Sequence, residues 1–284
     1  MSFVLGDTVK QDAERSVKAL LSHVQSEQAS RAVPIYLMLN TAEPLTRQSD
    51  HTPRIIPLRN RLSKLSEERV LLITKDPSTP YRDALTKKGS AIADDELIKE
   101  IVTLKKLKSI ARDYRKLTKL FNEYDLIVAD HRVYKFLPNI LGAKFYLKNK
   151  KLPFMVQMAK PDPEAKLVKG KKSPKLKDER CHPEYVKSQL KSIAKNTYFV
   201  PSSGDCISIK VGFSDWECGK LLENINDVVT FLTHGKFRPI GGVIPMDKLK
   251  GVNVKTSTSM AMPVYKKADK TTQSIDENYD EFNF

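Results

Sequence analysis

The sequence is short of the residues on which many enzymes and secreted domains depend. It has three cysteines, Cys181, Cys206 and Cys218, and no pair is spaced as CxxC. That is too few for a disulfide framework and odd in number, so three reduced thiols in a cytosolic or nuclear protein are expected. Five histidines (His23, His51, His131, His182 and His234) are scattered along the chain. The adjacent pair Cys181-His182 has no second pair at finger spacing, so no metal site is expected. Glycine is scarce, at 11 residues, and no glycine fingerprint follows any strand candidate. The phosphate cradle of a nucleotide site is therefore missing, and no cofactor is expected. No apolar run approaches the length of a membrane span. Residues 1–10 lack the basic start and apolar stretch of a secretory signal, so none is expected.

What is abundant is positive charge. Lys and Arg number 49 against 34 Asp and Glu, a net charge of +15 over 284 residues. Hydrophobic residues make up 40%, enough to bury a core, and the length suits one large domain or two ordinary ones. Such an excess points to a polyanionic partner, either nucleic acid or an anionic surface. Contacts from Lys and Arg to phosphates give affinity and strong salt dependence without reading sequence.

Apolar periodicity predicts the elements. Val17, Leu20, Leu21 and Val24 mark an amphipathic helix over 12–30. Residues 33–39 (VPIYLML) and 54–58 (RIIPL) read as short strands. The runs VLLIT (70–74) and DLIVAD (125–130) have the look of buried parallel strands. Between them, residues 95–121 read as one long helix rich in lysine and arginine, part of it an ordinary solvated face. Residues 133–141 read as helical and 152–158 as a strand. Strand and helix alternating at this spacing predict a small doubly wound α/β unit. Residues 160–180 form a basic, exposed and mobile loop by composition. A hairpin is expected from strands 197–200 and 206–212 around Ser203-Gly204-Asp205, followed by an amphipathic helix over 215–232.

The motifs that suggest catalysis fall short. Ser203-Gly204-Asp205 sits in a turn, not a strand-to-helix elbow, and GxSxG is absent. Asp130-His131 reads as an ordinary hydrogen-bonded pair. The chain is therefore not expected to be an enzyme. The run Lys255-Thr256-Ser257-Thr258-Ser259-Met260 is more distinctive. Its hydroxyls suit ribose and phosphate, and Met260 suits a base or sugar, although an ordinary Ser/Thr loop fits the same residues.

Several segments, taken in order over 31–265, resemble the ribosomal protein L-one family of large-subunit stalk proteins. Arg54-Ile55-Ile56-Pro57 is similar to the family's proline-ended strand before an insertion, and YDLIVA (124–129) to its inserted central strand. Ile140-Leu141-Gly142 with Lys150-Lys151-Leu152-Pro153 resembles its glycine- and proline-marked stretch. Residues 221–232 resemble its late helix, and Ser257-Thr258-Ser259-Met260 stands where the family has an RNA-binding loop. The resemblance implies a two-domain α/β fold. An α+β domain would be built from both chain ends (1–67 and 158–267), around an inserted Rossmann-like three-layer α/β domain (68–157). An acidic, disordered tail (268–284) would follow.

There are departures. Ala261 replaces the family's loop glycine, and the Arg-Asn-Phe-x-Glu-Thr stretch has no counterpart at 28–33. Together with residues 137–145, these resemble the nucleolar ribosome-assembly branch, and within it a short fungal subgroup associated with U-three-snoRNP particles. That resemblance implies a non-enzymatic ribosome biogenesis factor. It would bind structured pre-ribosomal RNA in the early small-subunit processome, as a monomer among other pre-ribosomal assembly proteins, with no membrane partner. RNA contacts are expected at Lys255, Thr256, Ser257, Thr258, Ser259 and Met260, and at Lys169, Lys171, Lys172, Lys175 and Lys177. A protein-interaction adaptor and a true stalk protein are the alternatives.

Overall fold

The computed structural model describes residues 3–26, 32–47, 50–87, 89–93, 96–142, 145–146, 152–165, 168–170, 173–201 and 203–267. The expected acidic tail at 268–284 lies outside them, as do 27–31. The chain divides into two compact units, 1–48 with 202–284, and 49–201. Helix α1 (Asp7–Ser26) and strand β1 (Pro34–Thr41) open the first unit. The second holds β2 (Arg54–Ile56), β3 (Val70–Thr74), α2 (Thr79–Thr86), β4 (Ile98–Thr103), α3 (Leu104–Ile110) and α4 (Tyr114–Glu123). It continues through β5 (Leu126–Asp130), α5 (His131–Tyr134), α6 (Leu137–Leu141), β6 (Phe154–Val156), β7 (Val168–Gly170) and β8 (Ser173–Lys177). It closes with α7 (Pro183–Lys195) and β9 (Thr197–Phe199). The chain then returns to the first unit with β10 (Cys206–Phe213), α8 (Cys218–Thr233), β11 (Leu249–Lys255) and β12 (Met262–Lys266).

The second unit is a parallel sheet in the order β4-β3-β5-β6. Every residue of β3 and β5 is buried, as a sheet covered on both faces requires. Alternation sends Leu71, Ile73, Ile127 and Ala129 to one side, under α3, α4, α5 and α6. Val70, Leu72, Leu126 and Val128 go to the other, under α2 and α7. The unit is thus three layers, α/β/α. By packing, α7 belongs here: Val186, Leu190, Ile193 and Ala194 share the core of Val70 and Leu72. β9 pairs with β2, Arg54 facing Phe199. The sequence-based boundaries at 67/68 and 157/158 assign β2, α7 and β9 to the end-built domain, whereas their packing and pairing put them in the second unit.

The expected helix over 95–121 begins instead with a strand, β4. Leu97, Ile101 and Leu104 fit helical spacing, but 98–103 pairs in parallel with all of β3 and the tertiary pairing overrides the period. The helix restarts at Thr103, whose hydroxyl accepts the Lys106 N–H, and again at Asp113, which caps α4. Nor do 197–200 and 206–212 form a hairpin. β9 pairs with β2 and β10 with β1, because Ser203-Gly204-Asp205 lies where the chain passes from one unit to the other.

The first unit is an antiparallel sheet in the order β10-β1-β11-β12. Its inner face, Ile35, Leu37, Leu39, Ile207, Ile209, Val252 and Val254, is buried with the apolar stripes of α1 and α8. Each such side chain contributes roughly 1.5–3 kcal/mol by leaving water. Pro34 takes the first position of β1, where a missing N–H is tolerated. Behind α8 the chain turns sharply at Gly241. A Cβ there would lie 2.5 Å from the Phe231 carbonyl oxygen, a backbone atom that cannot swing aside. Gly241→Ala is expected to lower the thermal unfolding midpoint of the chain, at a cost of about 1–3 kcal/mol. An unchanged midpoint in calorimetry rejects that expectation.

Candidate nucleic-acid interface

The loop between β11 and β12 is built by two of its own hydroxyls. Thr256 Oγ1 accepts the backbone N–H of Ser259 at 3.0 Å and of Thr258 at 3.4 Å. Ser259 Oγ accepts the Thr256 N–H at 2.9 Å and donates to the Met260 carbonyl at 3.0 Å. Both residues are buried, at 1% and 8% exposure. Their hydroxyls serve the loop and not a ligand. The residues between and after them face outward: Ser257 and Thr258 are exposed, and Met260 is 82% exposed. Lys255, at the end of β11, is half-buried. The expected contact run therefore separates into a scaffold (Thr256 and Ser259) and a presented set (Ser257, Thr258 and Met260).

Register extends this site across the sheet. On the face opposite α1 and α8, Tyr36 lies between Lys210 of β10 and Lys255 of β11. Met38 lies between Ser208 and Asn253 in the same way. A β-bulge sharpens the arrangement. Ile35 faces Gly212 and Tyr36 faces Lys210, so Val211 has no opposite residue on β1. Val211 and Gly212 are both buried, and Lys210 and Phe213 consequently share the outer face. The Lys210 ammonium sits 4.8 Å from the centre of the Phe213 ring. Asn224 of α8 donates to the carbonyl of the bulged Val211 at 2.8 Å. Lysines, aromatic rings and exposed hydroxyls thus meet at one end of the sheet. Tyr36, Lys210 and Phe213 were missed in the sequence. The alternation of PIYLMLNT flags Tyr36, but the bulge hides the pairing of Lys210 with Phe213.

Within the basic segment 160–180, the described residues 168–170 and 173–177 pair as the two strands of an arm instead of forming an irregular loop. β7 and β8 run antiparallel, Val168 facing Lys177 and Lys169 facing Leu176. Lys175 also lies in β8, and Lys171 and Lys172 lie outside the described residues. The base of the arm is fastened. His182 N–H donates to the Met158 carbonyl at 2.8 Å, and Arg180 bridges Asp178 at 3.0 Å and Asp162 at 3.2 Å. The charged hydrogen bonds from the Arg180 side chain hold the Asp178 carboxyl down at about 2, with its burial opposing. Its sign is that of a depressed acid: the clasp is intact above the ordinary carboxylate pKa and is lost as pH falls towards 2. Carboxyl-carbon NMR should find Asp178 titrating near pH 2, and Arg180→Gln should move that midpoint up. An ordinary Asp midpoint in the wild type contradicts the clasp. The arm and the 256–261 loop belong to different units.

The carboxyl ends of β3 and β5, where an open α/β sheet usually takes its ligand, are filled by the chain itself. The Asp178 carbonyl accepts from Lys75 at 2.9 Å, from the Tyr81 hydroxyl at 3.4 Å and from Arg132. Asp130 is fully buried and is paired with Arg132 at 2.8 Å and His131 at 3.2 Å. Burial pushes the nearby Cys181 thiol up to about 11, which keeps it from acting as a thiolate. No group of histidine, cysteine and carboxylate side chains among the described residues has the makings of a metal site.

Comparison with known proteins places this geometry. The chain is 40% identical over 256 residues to "Ribosome biogenesis protein UTP30" of Saccharomyces cerevisiae, covering 89% of each chain. Two Schizosaccharomyces pombe proteins also named for ribosome biogenesis are each 26% identical, over 89% and 82% of this chain and 78% and 54% of their own lengths. Residues 10–260 match the Ribosomal protein L1p/L10e family. With a sheet domain closed from both chain ends around an inserted three-layer α/β unit, the chain belongs to that family.

Proposed function

We propose that this protein is a non-enzymatic ribosome biogenesis factor that grips structured pre-ribosomal RNA in early nucleolar precursors of the small subunit. The observation that carries the reading is the division of labour in the β11–β12 loop. Thr256 and Ser259 spend their hydroxyls on the loop, while Ser257, Thr258 and Met260 stand exposed beside an open sheet face with Tyr36, Lys210 and Lys255. Folded RNA is recognised mainly through backbone shape and ribose 2′-hydroxyls, which small hydroxyls and lysines serve well. Met260 offers an apolar surface to a sugar or base. Lys169, Lys171, Lys172, Lys175 and Lys177 on the basic arm would add phosphate contacts. The names of the relatives support a role in ribosome assembly, and the net charge of +15 supports a nucleic-acid partner. Nucleolar residence among other assembly proteins follows from that role.

The test is crosslinking of the protein to RNA in cells, with sequencing of the bound fragments. Wild type is compared with a variant carrying Ser257→Ala, Thr258→Ala and Met260→Ala. Sharp peaks in the small-subunit precursor RNA that collapse in the variant are the expected result. Peaks confined to the large-subunit precursor reject the stage. An absence of ribosomal peaks in the wild type rejects the RNA reading and favours a protein adaptor.

A further inference from the structure

In the second unit, α3 and α4 press Leu107, Leu117 and Phe121 onto one face of the parallel sheet. Their outer side is crowded with cations. Lys106 is paired with Glu100 at 2.8 Å and Lys116 lies 3.8 Å from Asp113. Lys105, Lys108, Arg112, Arg115 and Lys119 are exposed, and their side-chain cations form no ion pair among the described residues; Asp76 and Asp113 accept only the backbone N–H groups of Lys105 and Arg115. Only Asp113 and Glu123 are acidic within 104–123, and Asp113 is engaged as the α4 cap.

The exposed side of α1 in this same chain is laid out differently. On α1, Lys18 pairs with Glu14 at 2.7 Å and Arg15 with Asp12 at 3.6 Å. On α3 and α4 the spacing of Lys105 with Lys108, and of Arg115 with Lys119, stacks like charges on one face, where they repel. Lys105 and Arg115 also stand in the first turn of their helices, the positive end of the helix dipole. Asp76 and Asp113 answer the dipole at the two N-termini, but the like-charge pairs along the outer face stay unanswered, and a bound polyanion would offset their repulsion.

We propose that the outer face of α3 and α4 is a second phosphate-binding surface that takes an RNA backbone, separate from the β11–β12 loop and indifferent to sequence. It rests on the RNA reading above and deepens it. RNA is favoured over an acidic protein because the face offers one partly exposed aromatic and no cluster of apolar anchors. Tyr114, at 37% exposure, is the most exposed large apolar group there, whereas protein interfaces depend on buried aromatic or aliphatic anchors.

The test uses the full chain, a transcript of small-subunit precursor ribosomal RNA, and a plain RNA duplex. Binding is measured against salt for three variants. One replaces Lys105, Lys108, Arg112, Arg115 and Lys119 by Gln. A second exchanges Lys and Arg at those positions. The third is the loop variant at Ser257, Thr258 and Met260. The Gln variant is expected to weaken binding of both RNAs and to flatten the slope of log affinity on log salt by up to about 4. The exchange variant should behave as wild type, and the loop variant should lose preference for the transcript while keeping its slope. A Gln variant with wild-type affinity and slope overturns this inference and leaves the loop reading standing. If the Gln variant weakens and the loop variant does not, the loop reading falls and this inference stands. RNA binding that survives in the Gln variant while an acidic protein partner is lost also overturns it.

Discussion

Asn224→Leu is expected to lower the stability of the end-built unit by about 2–3 kcal/mol. Asn224 is fully buried on α8, and its amide donates to the carbonyl of Val211 at 2.8 Å. Val211 is the extra residue of the bulge, with no residue of β1 opposite it. Leucine keeps the volume and removes the donor. The buried Val211 carbonyl then loses this donor, which costs roughly 1–3 kcal/mol before any repacking strain. For a chain of this size each kcal/mol moves the thermal midpoint by about 2–4 °C. Asn224→Asp should be worse, since a carboxylate cannot donate and is charged in a buried place. The damage should reach the site. The bulge is what sets Lys210 and Phe213 on one face beside Tyr36, so loosening it disperses the lysines that flank the loop. Thermal unfolding with RNA titration would show both effects. A midpoint within a degree or so of wild type for Asn224→Leu would show that the bulge has another support.

The sequence announced the parallel sheet more plainly than anything else. VLLIT and LIVAD each open with four consecutive apolar residues, and their shortness and β-branched content suit a strand in a sheet covered on both faces, which buries all five residues of each. The amphipathic stripe of α8 was equally plain, because Leu221, Leu222, Ile225, Val228, Val229 and Leu232 keep a single period. What escaped was pairing over distance. Residues 98–103 (IKEIVT) carry a helical period and no clean strand alternation, and only pairing with the neighbouring β3 makes them a strand. Ser203-Gly204-Asp205 is good turn chemistry, yet local chemistry says nothing about whether the flanking strands pair with each other or with strands more than a hundred residues away. The site was legible as a run of six residues. Its internal division was not, because Thr256 and Ser259 differ from Ser257 and Thr258 only in the hydrogen bonds the turn gives them.

That division predicts two distinct kinds of failure in the same loop. Ser257→Ala with Thr258→Ala and Met260→Ala should leave the unfolding midpoint where it is, since all three side chains are exposed. The same variant should bind small-subunit precursor RNA roughly 5- to 150-fold more weakly. The two lost hydroxyl contacts, at about 0.5–1.5 kcal/mol each, account for that range. Thr256→Val and Ser259→Ala should do the opposite first. Each strips a hydroxyl that satisfies buried backbone N–H groups, so each should cost about 1–3 kcal/mol of stability and release the turn. Affinity would then fall as well, because ordering the loop becomes part of the binding step. The two classes separate in a double measurement of calorimetric midpoint and RNA dissociation constant. Scaffold variants should move both, and presented-set variants only the second. If Thr256→Val and Ser257→Ala instead prove alike in both readouts, the loop does not divide its hydroxyls between fold and ligand. The grip on RNA would then have to be sought on the basic arm or on the outer face of α3 and α4.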